Sequence, residues 1–236
     1  DYIDFVRLRA KPAEELRGKT IHLICEFDIG TAKEDGAFNV VSVCSYGNTI
    51  DTANQEAKLQ QLKQKWKDEG KTENEVEFEA KNWKLLEGKR IFIPNSFDFN
   101  LQTIGIHSNG ELLLLACKIM LQKLEGFETI IDDDSIEIKT ANNTMLNCFD
   151  IILENEDYTL GKVIEYFLLT YYFDKNILTF CGFKMMHPHD SYSTIRVAYK
   201  QRVDISYVKG NLKECISLAK DVYNQLNKQF LKLVSR

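Results

Sequence analysis

"EDYTLGKVIEYFLLTYYF", residues Glu156 to Phe173, decides how the chain is read. Leu160, Val163, Ile164, Phe167, Leu168 and Tyr171 recur at three- and four-residue spacing, which predicts a helix with one buried face. Gly161 stands one turn into it, where glycine costs about 1 kcal/mol relative to alanine. Its place on an apolar stripe predicts close approach of another helix. Outward from this helix the period changes to two. Before it, Thr144 to Glu154 reads as a strand showing Met145, Phe149, Ile151 and Leu153 on one face. After it, Ile177 to Met185 reads as a second strand, and Ile195, Val197 and Tyr199 mark a third. A long helix from about Val208 closes the chain, with Leu212, Cys215, Ala219, Val222, Leu226, Phe230 and Leu233 at three-four spacing. The order is β-α-β-β-α, an α+β unit. Its striped helices carry more apolar surface than three strands can cover, so a second surface must bury the remainder.

The 236 residues are 44% hydrophobic and 28% charged, which fits a globular chain with a sizeable core. A net charge of −5 argues against direct nucleic-acid binding, which needs concentrated positive charge. The longest apolar run, Leu112 to Cys117, is far below the roughly 20 residues of a membrane span. The opening "DYIDFVRLRA" has no apolar core of a secretory signal. A start at Asp1 leads us to expect that an upstream piece is missing. The six cysteines are far apart with no CxxC pair, so reduced and mostly buried thiols are expected, in place of zinc or disulfides.

Upstream, Ile21, Leu23, Cys25, Phe27 and Ile29 alternate with His22, Ile24, Glu26 and Asp28, which predicts a half-buried strand. "GTAKEDG" follows as a loop, then a second β-like run from Phe38 to Tyr46. Thr52 to Glu69 reads as a solvated helix, locally basic through Lys58, Lys63, Lys65 and Lys67. "NEVEFEAKNW" fits strand or helix. Phe97, Phe99 and Leu101 share one strand face, with Pro94 suited to its start. Ser108 and Glu111 make a capping box for a helix ending at Gly126 as its C-cap, buried on more than one side. "DDDS", Asp132 to Ser135, reads as the clearest linker.

"GFKMMHPHD", Gly182 to Asp190, holds two of the four histidines. A metal-binding or hydrolytic enzyme built on His187, His189 and His107 is one alternative. Pro188 suits a turn, and no third ligand has a recognisable spacing to the pair. No phosphate-binding loop, nucleophile elbow or Asp-x-Asp-x-Asp cluster occurs. Catalytic residues, metal ligands and cofactors are therefore not expected. A second alternative is a free-standing interaction module.

Two motifs make a resemblance. Glu156, Asp157, Thr159, Leu160 and Gly161 open the first helix, and Gly182, Phe183, His187 and Pro188 follow between the second and third strands. In that order they resemble the smaller alpha-like assembly subunit of multisubunit RNA polymerases, the eleventh in eukaryotic enzymes. Lys162 replaces that family's usual asparagine, and Met186 its frequent proline. Upstream, "RGKTIHLICEFDIGTAKEDGAFNVVSVCSYG" resembles part of the inserted domain of the larger partner, the third subunit. "FDFNLQTIG" and the helix after it resemble that partner's last strand and dimerisation helix. Both on one chain resemble the fused form of large cytoplasmic DNA viruses.

The resemblance implies two alpha-like dimerisation modules. Residues 1–92 would belong to the inserted domain, with 51–87 a charged excursion, and 93–131 to the larger half's last strand and helix. Residues 132–142 would be the linker and 143–236 the smaller module. It implies a non-catalytic assembly platform docking the second-largest and largest polymerase subunits and small accessory subunits. Nucleic acid would be met only indirectly, and a membrane not at all. The modules would pair through Leu160, Gly161, Ile164, Phe167, Leu168, Leu113, Leu114, Cys117, Leu121, Leu226 and Phe230, with self-association of the chain as a variant of that pairing. Residence in host cytoplasm and virion follows for a viral chain, or in the nucleus for a cellular one.

Overall fold

The computed structural model describes residues 6–11, 13–15, 18–187 and 189–234. The core lies in the C-terminal half. There β3 (Ile138–Thr140), β4 (Cys148–Glu154), β5 (Leu178–Lys184) and β6 (Tyr192–Tyr199) form an antiparallel sheet in the order β3-β4-β6-β5. Both β4 and β5 run antiparallel to β6, so they are parallel to each other, and α4 (Tyr158–Leu168) is the crossover between them. One sheet face shows Ile151, Leu153, Ile195 and Val197, all at most 2% exposed. Against it pack α4, the closing helix α5 (Ile205–Val234) and the second half of α3 (Asn109–Asp132), the last through Leu124, Phe127 and Ile131. On the other face Arg196 stands opposite Asp150 and donates to both carboxylate oxygens, at 2.6 and 2.7 Å.

The expected β-α-β-β-α order is present, with boundaries that local chemistry explains. Asp157 caps α4 by accepting the Thr159 amide at 2.9 Å. Past Leu168 the helix widens into a π turn, Leu169–Phe173, before Asn176 takes a left-handed conformation, φ 59°. β4 begins only at Cys148, because Asn147 is also left-handed, φ 51°. Met145 therefore lies off the strand, against Ala141, Cys148 and Ala198 on the opposite face of the sheet.

Upstream, β1 (Val41–Ile50) and β2 (Phe92–Thr103) form an antiparallel two-stranded ribbon with Tyr46 opposite Phe99. The ladder shifts register between Asn48 and Ile50, opposite the region of Pro94 and the left-handed Asn95. A helical hairpin, α1 (Thr52–Asp68) and α2 (Glu73–Leu85), joins the strands. "NEVEFEAKNW" is thus helical. The box in which Thr72 and Glu75 cap each other starts α2, which packs on α1 with Val76 and Ala80 of the one and Leu59 of the other buried. As expected, α1 is solvated over most of its surface.

Three expectations are corrected. Ile21–Ile29 forms no ladder with any described residue and is open to solvent, with Ile24, Phe27 and Ile29 at least 88% exposed. Alternation provided the strand period, but β1 takes β2 as its partner. Gly126 does not end α3. The helix runs six residues further because Phe127 and Ile131 are buried, and that burial outweighs the glycine cost. It stops at Asp134, left-handed at φ 60°, where Ser135 donates back to the Ile130 carbonyl at 3.1 Å. The stretch read as linker is therefore a helix stop followed by β3, which adds to the sheet beside β4.

Candidate subunit interface

The helix pair α3–α5 is antiparallel. Gly110 at the head of α3 lies against Val234 at the tail of α5, so close that a Cβ on Gly110 would stand 2.5 Å from Val234 Cγ2. At the other end a ladder of ion pairs fixes the register. Lys220 pairs with Glu128, Lys213 with Asp132 and Lys209 with Asp134. Every lysine is on α5, and every acid is on α3 or in the turn that ends it. Lys209 holds the Asp134 carboxyl below the usual aspartate range. Lys123, further up α3, donates to both oxygens of Glu156 at 2.8 Å, tying α3 to the head of α4.

The sequence-derived interface residues fall into two groups. Leu160, Ile164 and Leu168 of α4 are at most 1% exposed and lie inside the C-terminal core. Phe167, 6% exposed, stacks on Tyr171 at 6.1 Å in the same core. The other group lies on the helix pair. Cys117 is buried, and Leu113, Leu114, Leu121, Leu226 and Phe230 are half-buried. Burial raises the pKa of the Cys117 thiol and of the nearby Tyr223 phenol. Sequence reasoning did not single out Met120, Leu124, Phe127 and Ile131 as contacts. Their three-four spacing continues past Gly126, and reading that glycine as a stop hid it.

Gly161 meets a strand and not a helix. A Cβ there would fall 2.0 Å from Cε2 of Phe183, on β5. The Tyr158 ring meets the same phenylalanine edge-on at 5.1 Å. The Phe183 amide donates to Glu165 of α4 at 2.8 Å, satisfying a donor on the edge strand of the sheet. The two signature motifs therefore meet through Gly161 and Phe183, between α4 and β5. Ahead of α4, Glu156 accepts from Lys123 of α3 through its side chain and from the Ser193 hydroxyl of β6 through its carbonyl, the latter at 2.8 Å. Gly182 lies 3.1 Å, by its would-be Cβ, from the Phe180 ring.

The histidines close a turn. The His187 amide donates to Asp190 at 3.1 Å, and the His189 amide donates to His187 Nδ1 at 3.2 Å. The two rings meet edge-on at 5.0 Å. Pro188 lies outside the described residues. His107 is remote from them in the chain, accepting the Thr103 hydroxyl through its carbonyl at 2.6 Å. Among the described residues no group of three or more His, Cys, Asp or Glu side chains could hold a metal ion. Cys117, Cys148 and Cys215 are buried and Cys181 half-buried, while Cys25 and Cys44 are exposed. Burial pushes the Cys215 and Cys181 thiols up to about 12. Among the described residues no helix is long and apolar enough to cross a membrane.

No curated protein matches the chain. Residues 148–229 match the family model of the RNA polymerase Rpb3/Rpb11 dimerisation domain. The match begins at the first residue of β4 and ends within α5, so α3 stands outside it while its partners Glu156, Lys209, Lys213 and Lys220 stand within. That domain belongs to non-catalytic assembly subunits, and the match supports reading this chain as an assembly subunit of a DNA-directed RNA polymerase rather than an enzyme in itself.

Proposed function

We propose that the chain is a fused assembly platform, third-subunit-like upstream and eleventh-subunit-like downstream, of the kind found in large cytoplasmic DNA viruses. The observation carrying this reading is α3 laid antiparallel along α5 with its second half sunk into the core beside α4. An upstream helix thereby completes the burial that the three-strand unit lacks, as pairing between two alpha-like modules would. On this reading the paired helices form a rigid base on which the second-largest and largest catalytic subunits and small accessory subunits dock. Nucleic acid is met through those partners, and the site of action is the host cytoplasm and virion.

Affinity purification of the tagged full chain from producing cells tests the proposal. The two largest polymerase subunits should co-purify in stoichiometric amounts. Recovery of the chain without either of them would refute the proposal and leave a free-standing interaction module.

A further inference from the structure

α3 has a second face. Leu115, Ile119, Gln122, Gly126 and Ile130 follow one line along the helix, opposite the buried Cys117, Leu124 and Ile131. Leu115 is 37% exposed, Ile119 51% and Ile130 44%, so three large apolar side chains on one line are left largely open by the described residues. Beside them runs a groove between α3 and β3–β4, where Ile130, Ile136 and Ile152 are rimmed by Lys123, Glu137 and Glu154. Gly126 is not required by the fold. A Cβ there would meet nothing within 4 Å, its φ is an ordinary helical one, and mid-helix glycine costs stability relative to alanine.

We infer that this face pairs with the same face of a second copy, α3 against α3 antiparallel about a two-fold axis near Gln122. The stripe is self-complementary under that operation, as an isologous contact requires. Ile119 of each copy falls on Gly126 of the other, filling the space the glycine leaves, and Leu115 falls against Ile130. One flank carries the exposed Lys118 and Glu125, which the same two-fold axis brings together twice with opposite charges facing. Of the ladder acids on α3, Glu128 lies opposite the stripe, and Asp132 follows Glu125 by seven residues on the flank toward α5. The inference does not depend on the polymerase reading.

Sedimentation equilibrium of the full chain tests it. At a loading on the order of 50 μM the wild type should weigh twice the 27.3 kDa of one chain and fall toward one on dilution. Ile119→Glu should weaken association at least about tenfold, with an unchanged thermal midpoint because the residue is half in solvent. Lys118→Glu should also weaken it, and Lys118→Glu combined with Glu125→Lys should restore it. A wild type that stays monomeric throughout would overturn the inference, as would a dimer indifferent to both Ile119→Glu and Lys118→Glu.

Discussion

Gly161 and Phe183 come from separate elements yet occupy one space. Adding a methyl at Gly161 drives it into a ring held by Tyr158 on one side and by its own amide's bond to Glu165. Gly161→Ala should cost about 1–3 kcal/mol in denaturant unfolding, and Phe183→Leu should cost less in that background than alone. Asp157 is a second sensitive point. Accepting the Thr159 amide is the first cause holding its carboxyl below the ordinary aspartate range. A depressed folded-state value means the contribution is complete above that range and is lost as acidification passes through the depressed value. Asp157→Ala should cost about 1 kcal/mol at neutral pH. Asp157→Asn should keep most of the cap and flatten the acid limb of the stability curve. His187→Ala should shift stability little, because its ring serves a surface turn. At this scale the sequence was informative about which residues are unusual and silent about their neighbours. A glycine on an apolar stripe announces close approach, but whether a helix or a strand approaches depends on how the crossover closes.

The α3–α5 contact sets the behaviour of the elements. Single exposed ion pairs contribute about 0.2–1 kcal/mol, so the ladder acts chiefly on register. Lys213→Glu with Lys220→Glu should lower the unfolding midpoint, more at low salt than at high. Adding Glu128→Lys and Asp132→Lys should recover it, since the partners are exchanged and the spacing kept. The contact separates the two groups of sequence-derived interface residues. Leu160→Asp places a charge at a fully buried site and should unfold the C-terminal unit, seen as loss of the cooperative transition. Phe230→Asp, half in solvent near the tail of α5, should instead loosen the head of α3 while the sheet remains protected from hydrogen exchange. The elements of the C-terminal unit were legible because each stripe finds a surface of its own period. Ile21–Ile29 has an equally regular stripe and no strand partner among the described residues, since pairing is decided between segments and not within one. β3 was invisible for the opposite reason: three residues are too few to show a period.

Across the whole molecule burial is uneven. The large cluster joins α3, α4, α5 and the sheet, while Leu59, Val76 and Ala80 are the buried apolar residues of the α1–α2 hairpin. Native-state hydrogen exchange should therefore show the hairpin and the β1–β2 ribbon opening at lower free energy than β4, β6 and α5. The architecture of the buried half could be read from pattern; upstream, β1, α1 and β2 could be read as elements, but the helical state of α2 and the course of Ile21–Ile29 could not, because little there is held by a core of its own. The short turn between Asp132 and Ile138 has a further consequence. It joins α3 directly to the unit that carries α5, and because the two helices sit on one chain, each meets the other at an effective concentration that dilution does not lower. Their stoichiometry is one to one from the moment of synthesis. The pairing surface can then be modest in area and only partly apolar and still be always occupied, a freedom that two separately translated chains would lack.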